Sequence, residues 1–185
     1  MIKEIKIYSR FHISNFAITG GINFPYVGKK WNLVSIYGCG DEELLTLKNK
    51  NIFQDMGCEN FLSLDFWDIT PGWIENSSFE EEDVILFNKD HASQVVSFID
   101  DLQKDDEDSI LVAHCHAGIS RSGAIGTFAC DYCNLDYNAF MKSNSFIMAN
   151  PHVLETLHNV TGKDDIKWHN GWDDNCDVMP PWKRR

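Results

Sequence analysis

Residues Ile2 to Ile7 alternate apolar and polar, and this period of two predicts an opening strand. Tyr8-Ser9-Arg10-Phe11-His12 then joins that strand to a loop marked by Gly20-Gly21, Pro25 and Gly28. Leu33-Val34-Ser35-Ile36-Tyr37 reads as a buried strand that ends at Gly38-Cys39-Gly40, with a short helix expected from Asp41 to Lys48. Phe61-Leu62-Ser63-Leu64-Asp65-Phe66 is another strand, closing near Asp68. Pro71-Gly72 makes the following segment a loop, with a solvated acidic run from Glu80 to Asp83.

The second half of the chain is clearer. Asn88 caps a helix to about Gln103, in which Ala92, Val95, Val96, Ile99 and Leu102 share one face. After the acidic turn Asp105 to Asp108, Ile110-Leu111-Val112-Ala113 is a short, wholly apolar strand of the kind found at the centre of a parallel sheet. Helical patterns follow from Ser122 to about Cys133 and from Tyr137 to Phe146. A last helix opens at Asn150-Pro151, a cap followed by a first-turn proline, and runs to about Val160. Strands alternating with helices indicate a layered α/β domain. The expected division is one domain over residues 1–162 and a peripheral tail over 163–185, where the polar, Trp- and Pro-rich sequence offers little to pack.

Composition narrows the classes. With 185 residues, 43% apolar and 24% charged, the chain has material for a single substantial core, and its 12 Phe and 6 Trp supply much of it. The net charge of -12 argues against nucleic acid or an anionic membrane surface as the main partner, since either favours a basic face. The six cysteines are irregularly spaced, and several lie in apolar segments. The expectation is a reduced, cytoplasmic protein without a signal peptide or a membrane span.

One stretch carries chemistry: His114-Cys115-His116-Ala117-Gly118-Ile119-Ser120-Arg121-Ser122-Gly123. It follows an apolar strand and precedes a helix, so backbone N–H groups converge where the helix dipole is positive, and an anion is favoured there. Five residues between Cys115 and Arg121 suffice to wrap once around a phosphate-sized dianion, and Gly118 and Gly123 permit tight turns. The same setting favours a sulfur anion at Cys115, the nucleophilic form. The planar fork of Arg121 suits two phosphate oxygens, and Ser122 can donate to the sulfur as it leaves. His114 reads as a partner that holds the loop rather than as a base.

The form His-Cys-x-Ala-Gly-x-Ser-Arg-Ser resembles the signature of the protein tyrosine phosphatase superfamily, and most of all its compact dual-specificity branch. The order of elements is similar over roughly residues 1–160. The resemblance implies an α/β fold: one three-layer domain with a four- or five-stranded, mostly parallel sheet flanked by helices. It implies hydrolysis in two steps through a phosphocysteine, without metal or cofactor. His116, Ala117, Gly118, Ile119, Ser120 and Arg121 would then bind the phosphate, with Ser122 and His114 in support.

The resemblance also calls for an aspartic acid on a loop after an upstream strand, to protonate the leaving oxygen. Asp65 and Asp68 compete. Asp68 is preferred, because it enters a loop whereas Asp65 sits within the strand pattern. None of the variable loop residues is Lys or Arg. With the acidic net charge this favours a phosphorylated protein or peptide, phosphotyrosine first, over a phosphoinositide, a nucleotide or an RNA 5′ end. A phosphate-binding module without catalysis is the rival from another class. Cys130-Asp131-Tyr132-Cys133 lies in a helix pattern and reads as structural; so do His152 and His158.

Overall fold

The computed structural model describes residues 1–38, 50–74 and 84–162. In chain order the elements are β1 (Ile2–Ser9), α1 (Arg10–Ile18), β2 (Trp31–Tyr37), α2 (Lys50–Asp55), β3 (Cys58–Asp65), α3 (Pro71–Ile74), α4 (Lys89–Gln103), β4 (Ser109–Cys115), α5 (Arg121–Tyr132), α6 (Tyr137–Ser143) and α7 (Pro151–Thr161). The strands form a four-stranded sheet in the order β1-β4-β2-β3, parallel at every pairing. The helix expected from Asp41 to Lys48, the acidic run at 80–83 and the tail at 163–185 lie outside the described residues.

The strand patterns follow from this order. All seven residues of β4 are buried, because β1 and β2 flank it and helices cover both faces. β1, at the edge, alternates from Glu4 to Ile7, after a register shift between Ile2 and Glu4 that leaves both Ile2 and Ile5 in the core. Period two then sorts the side chains. Ile5, Ile7, Val34, Ile36, Leu111, Ala113 and Cys115 face α4, α5 and α7. Trp31, Leu33, Ile110 and Val112 face the opposite way, toward Ile13 of α1 and Phe53 of α2. Two apolar cores on either side of one sheet make the expected three layers.

Several helices were hidden in the sequence for identifiable reasons. In α1 only Ile13 is buried, while Phe11 and Ile18 stand in solvent, so no apolar stripe marks it. Its start is nevertheless written in Ser9, whose hydroxyl accepts from the His12 amide at 3.3 Å. The six-residue α2 and four-residue α3 are too short to show a period. Pro71 opens α3 rather than a loop, as proline can at a first helical position. The caps at Asn88 and Asn150 stand as read, Asn88 in a reciprocal box with His91.

The helix expected to run to Phe146 stops at Ser143, because Asn144 is recruited elsewhere. Its buried side chain accepts from the Ile7 amide at 2.9 Å and donates to the carbonyls of Ile5 at 3.1 Å and Phe140 at 2.9 Å. These contacts satisfy the outer backbone groups of edge strand β1. Asn144→Ala should therefore cost about 2–3 kcal/mol of unfolding free energy, since buried backbone groups lose their partners. Urea denaturation measures this; a loss below about 0.5 kcal/mol would contradict the role given to Asn144.

Candidate active site

Parallel strands all end on one side of the sheet, and there the chain reversals leave room for a ligand. Cys115 is the last residue of β4, level with Ser9 at the end of β1. His114, level with Ser35 of β2, is buried and its Nε2 lies 2.8 Å from the Ser35 hydroxyl. That contact ties the strand end to its neighbour, in keeping with a structural role for this histidine.

From Cys115 the chain makes one turn and enters α5 at Arg121. The turn is held from outside. The carbonyls of His116, Ile119 and Ser120 accept from the amides of Arg10 at 3.1 Å, Met148 at 3.1 Å and Asn150 at 3.2 Å. In a trans peptide the carbonyl and the following N–H point opposite ways. The N–H groups of Ala117, Ser120 and Arg121 are thus turned away from these partners, the orientation an anion cradle requires. Ser120 precedes the helix without capping it, so no side chain from the cap position occupies the first-turn N–H groups of α5.

Gly118 is required twice over. Its φ is +72°, and a Cβ there would lie 2.5 Å from the Ser9 nitrogen and the Tyr8 carbonyl carbon. The loop packs directly on the end of β1.

Cys115 is 1% exposed at the base of the turn, and the Ser122 hydroxyl donates to its sulfur at 3.1 Å. Arg121 is also buried. One terminal nitrogen donates to the Phe66 carbonyl at 3.0 Å, and Nε lies 3.9 Å from Oδ2 of Asp68. The Arg121–Phe66 bond needs Gly38 at the end of β2. A Cβ on Gly38 would meet the Phe66 oxygen at 2.5 Å and the guanidinium at 3.0 Å. The sequence marked Gly38 only as a strand end; the close approach of three segments gives no sequence signal.

Of the two aspartates, Asp68 is the one beside the turn. Its Oδ1 accepts from the Ser120 hydroxyl at 2.6 Å and from Nδ2 of Asn150 at 3.0 Å. Its side chain remains 37% exposed. Asp65, half-buried at the end of β3, lies near His91, whose ring bonds to its backbone. Burial pushes the His91 imidazole below its ordinary value, and Asp65 and Asp90 partly oppose this. Asn150 was legible only as a helix cap. Its Oδ1 does accept from the amides of His152 and Val153, while its other end reaches Asp68.

The remaining loop residues divide by exposure: His116 and Ala117 face solvent, and Ile119 and Ser120 are half-buried. In the Cys-x-x-Cys pair, burial above all pushes the Cys130 thiol up to about 12, helped by Asp131. It therefore stays protonated near neutrality, as suits a packed side chain. His152 donates from Nε2 to the Phe87 carbonyl at 2.8 Å, and His158 packs edge-on to Phe128.

The contrast between two glycines tests the packing of the turn. Gly28 also has a positive φ, +78°, but its Cβ position is open. Gly28→Ala should cost about 1 kcal/mol and Gly118→Ala about 2–4 kcal/mol in chemical denaturation, because only the latter must displace backbone. Equal losses would contradict the close packing of the turn on β1.

No family model matches the chain, and no curated protein matches it by sequence. The solved structures that the chain matches include two with low sequence identity. One is "Crystal structure of Tk-PTP in the active form", with a TM-score of 0.44 and 11% identity over 86% of this chain and 92% of that one. The other is "Crystal Structure of PTPMT1 in complex with PI(5)P", with a TM-score of 0.44 and 15% identity over 86% of this chain and 90% of that one. The chain itself has the three-layer α/β architecture, with its Cys-x5-Arg turn between the central strand and a helix, that the resemblance to the tyrosine phosphatase superfamily implied.

Proposed function

We propose that this chain is a cysteine-dependent phosphatase, with residues 1–162 as its catalytic unit and a phosphorylated protein, phosphotyrosine first, as its substrate. The observation that carries this reading is the convergence on one turn of a buried sulfur, a hydroxyl bonded to it, a buried guanidinium and a partly exposed carboxylate. A binding module has no need of a nucleophile held by Ser122 or of a carboxylate set at the rim.

The steps follow from the arrangement. The Cys115 sulfur attacks phosphorus, the bond to the ester oxygen breaks, and Asp68 gives that oxygen a proton. The N–H groups of the turn and the Arg121 guanidinium stabilise charge on the three other oxygens. Asp68, now a carboxylate, takes a proton from water as it attacks the phosphocysteine. The S–P bond breaks, phosphate departs, and Ser122 donates to the returning sulfur. Arg121 is the sole Lys or Arg among residues 114–122, which supports a site for a single phosphate group over one for multiply phosphorylated lipids or polyphosphate ends.

Purified variants test each role. Cys115→Ser should abolish turnover of phosphotyrosine peptides. Asp68→Asn should lower kcat about 10²–10⁴-fold, and much less for p-nitrophenyl phosphate, whose leaving group needs no proton. Asp65→Asn should change kcat by less than about threefold, since that carboxylate lies near His91. Ser122→Ala should slow the second step and produce a burst of the first product. Normal turnover by Cys115→Ser would refute the proposal, and a larger loss in Asp65→Asn than in Asp68→Asn would reassign the acid.

A further inference from the structure

Helix α7 begins at a buried asparagine, Asn150. An N-cap needs only an oxygen that accepts from first-turn amides, and Asp, Ser and Asn serve about equally well there. Asn150 meets that need through Oδ1, which accepts from the amides of His152 at 3.0 Å and Val153 at 3.3 Å. This fixes the sense of its amide group. A helix start presents N–H groups, so the end turned toward it is the oxygen and the other end is the NH2. That NH2 donates to Oδ1 of Asp68 at 3.0 Å. An Asp or Ser cap has no N–H to offer at that place, so the helix alone does not account for asparagine here, and Asp68 does.

The two oxygens of Asp68 are thereby made unlike. Oδ1 accepts twice, from Asn150 and from the Ser120 hydroxyl at 2.6 Å. Oδ2 is the oxygen that lies 3.9 Å from Nε of Arg121. A protonated carboxyl group has one O–H and one oxygen left as an acceptor. Two donors on Oδ1 make it the acceptor, and the proton goes to Oδ2. The Cβ–Cγ torsion of an aspartate is soft, and two donors from different parts of the fold, the turn and the start of α7, fix it.

We infer that Asn150 is a positioning residue: its N–H keeps Oδ1 an acceptor, so that the acid proton of Asp68 sits on Oδ2, on the side of Arg121 and the leaving oxygen. This rests on the phosphatase reading above and names what makes its acid competent. In the first step the proton passes from Oδ2 to the ester oxygen as the bond from that oxygen to phosphorus breaks, and the O–H electron pair stays on Oδ2. In the second, Oδ2 takes a proton from the attacking water, with both bonds to Oδ1 unchanged.

Asn150→Ser and Asn150→Thr keep an oxygen that can cap α7 and lose the N–H. Each is assayed as kcat/KM on a phosphotyrosine peptide, whose leaving oxygen needs a proton, and on p-nitrophenyl phosphate, whose leaving group does not. Both variants should lose about 10–100-fold on the peptide and less than about threefold on p-nitrophenyl phosphate. Ser120→Ala, which removes the other donor to Oδ1, should show the same selective loss. In an Asp68→Asn background, Asn150→Ser should bring no further loss on the peptide, because Asn150 acts only through that carboxyl group. An equal fall on the two esters is what a damaged helix start gives, and it would overturn the inference. Undiminished peptide turnover in both variants would overturn it too, as would a loss that persists beside Asp68→Asn. Those outcomes leave the phosphatase reading standing; a wild-type chain that hydrolyses neither ester would overturn both.

Discussion

The site depends on backbone carbonyls being held from outside the turn. A strand running straight into a helix would leave the intervening peptides free to satisfy one another. Here the carbonyls of His116, Ile119 and Ser120 are each claimed by an amide from a different part of the fold. Peptide planarity then fixes the direction of the N–H groups on the other side. The direction of these N–H groups is thus a consequence of tertiary packing around the turn, with Gly118 admitting β1 close enough for that packing to occur.

The same economy appears in the side chains that join Asp68 to the turn. Ser120 sits where a helix cap would be, yet its hydroxyl goes to Asp68. Asn150 serves as a cap and still reaches Asp68 with its amide nitrogen. The segment before α4 completes the frame. The carbonyl of Ile85 accepts from Trp67, next to Asp68, at 2.7 Å, and that of Phe87 is within 2.8 Å of His152, near the start of α7. The carboxylate is therefore held both to the turn and to the helices that flank it, by groups whose first task is structural.

Much of this was legible before any coordinates. The parallel sheet showed itself in the unbroken apolar run of β4, the opening strand in the apolar–polar pattern at Ile2 to Ile7, and the caps at Asn88 and Asn150 were plain. The turn could be read because its chemistry is local: ten consecutive residues contain the sulfur, the guanidinium and the hydroxyl. What was not legible is whatever depends on separation in sequence. Gly38 matters through Phe66 and Arg121, and Asn150 through a residue 82 positions away. α1 escaped because Phe11 and Ile18 face solvent and only Ile13 is fully buried, so the usual stripe is missing. Asp68 was preferred to Asp65 on a general expectation about loops; its bonds to Ser120 and Asn150 join residues far apart in the chain and left no mark in the sequence.

The central claim is covalent: phosphorus passes through the sulfur of Cys115. Rapid acid quenching of the wild-type chain during turnover of a phosphotyrosine peptide, followed by peptide mass spectrometry, reads this directly. The account predicts a phosphoryl group on Cys115 that forms within the first turnover and decays as substrate is exhausted. Phosphate released with no adduct on Cys115, or an adduct carried by any other residue, would contradict it.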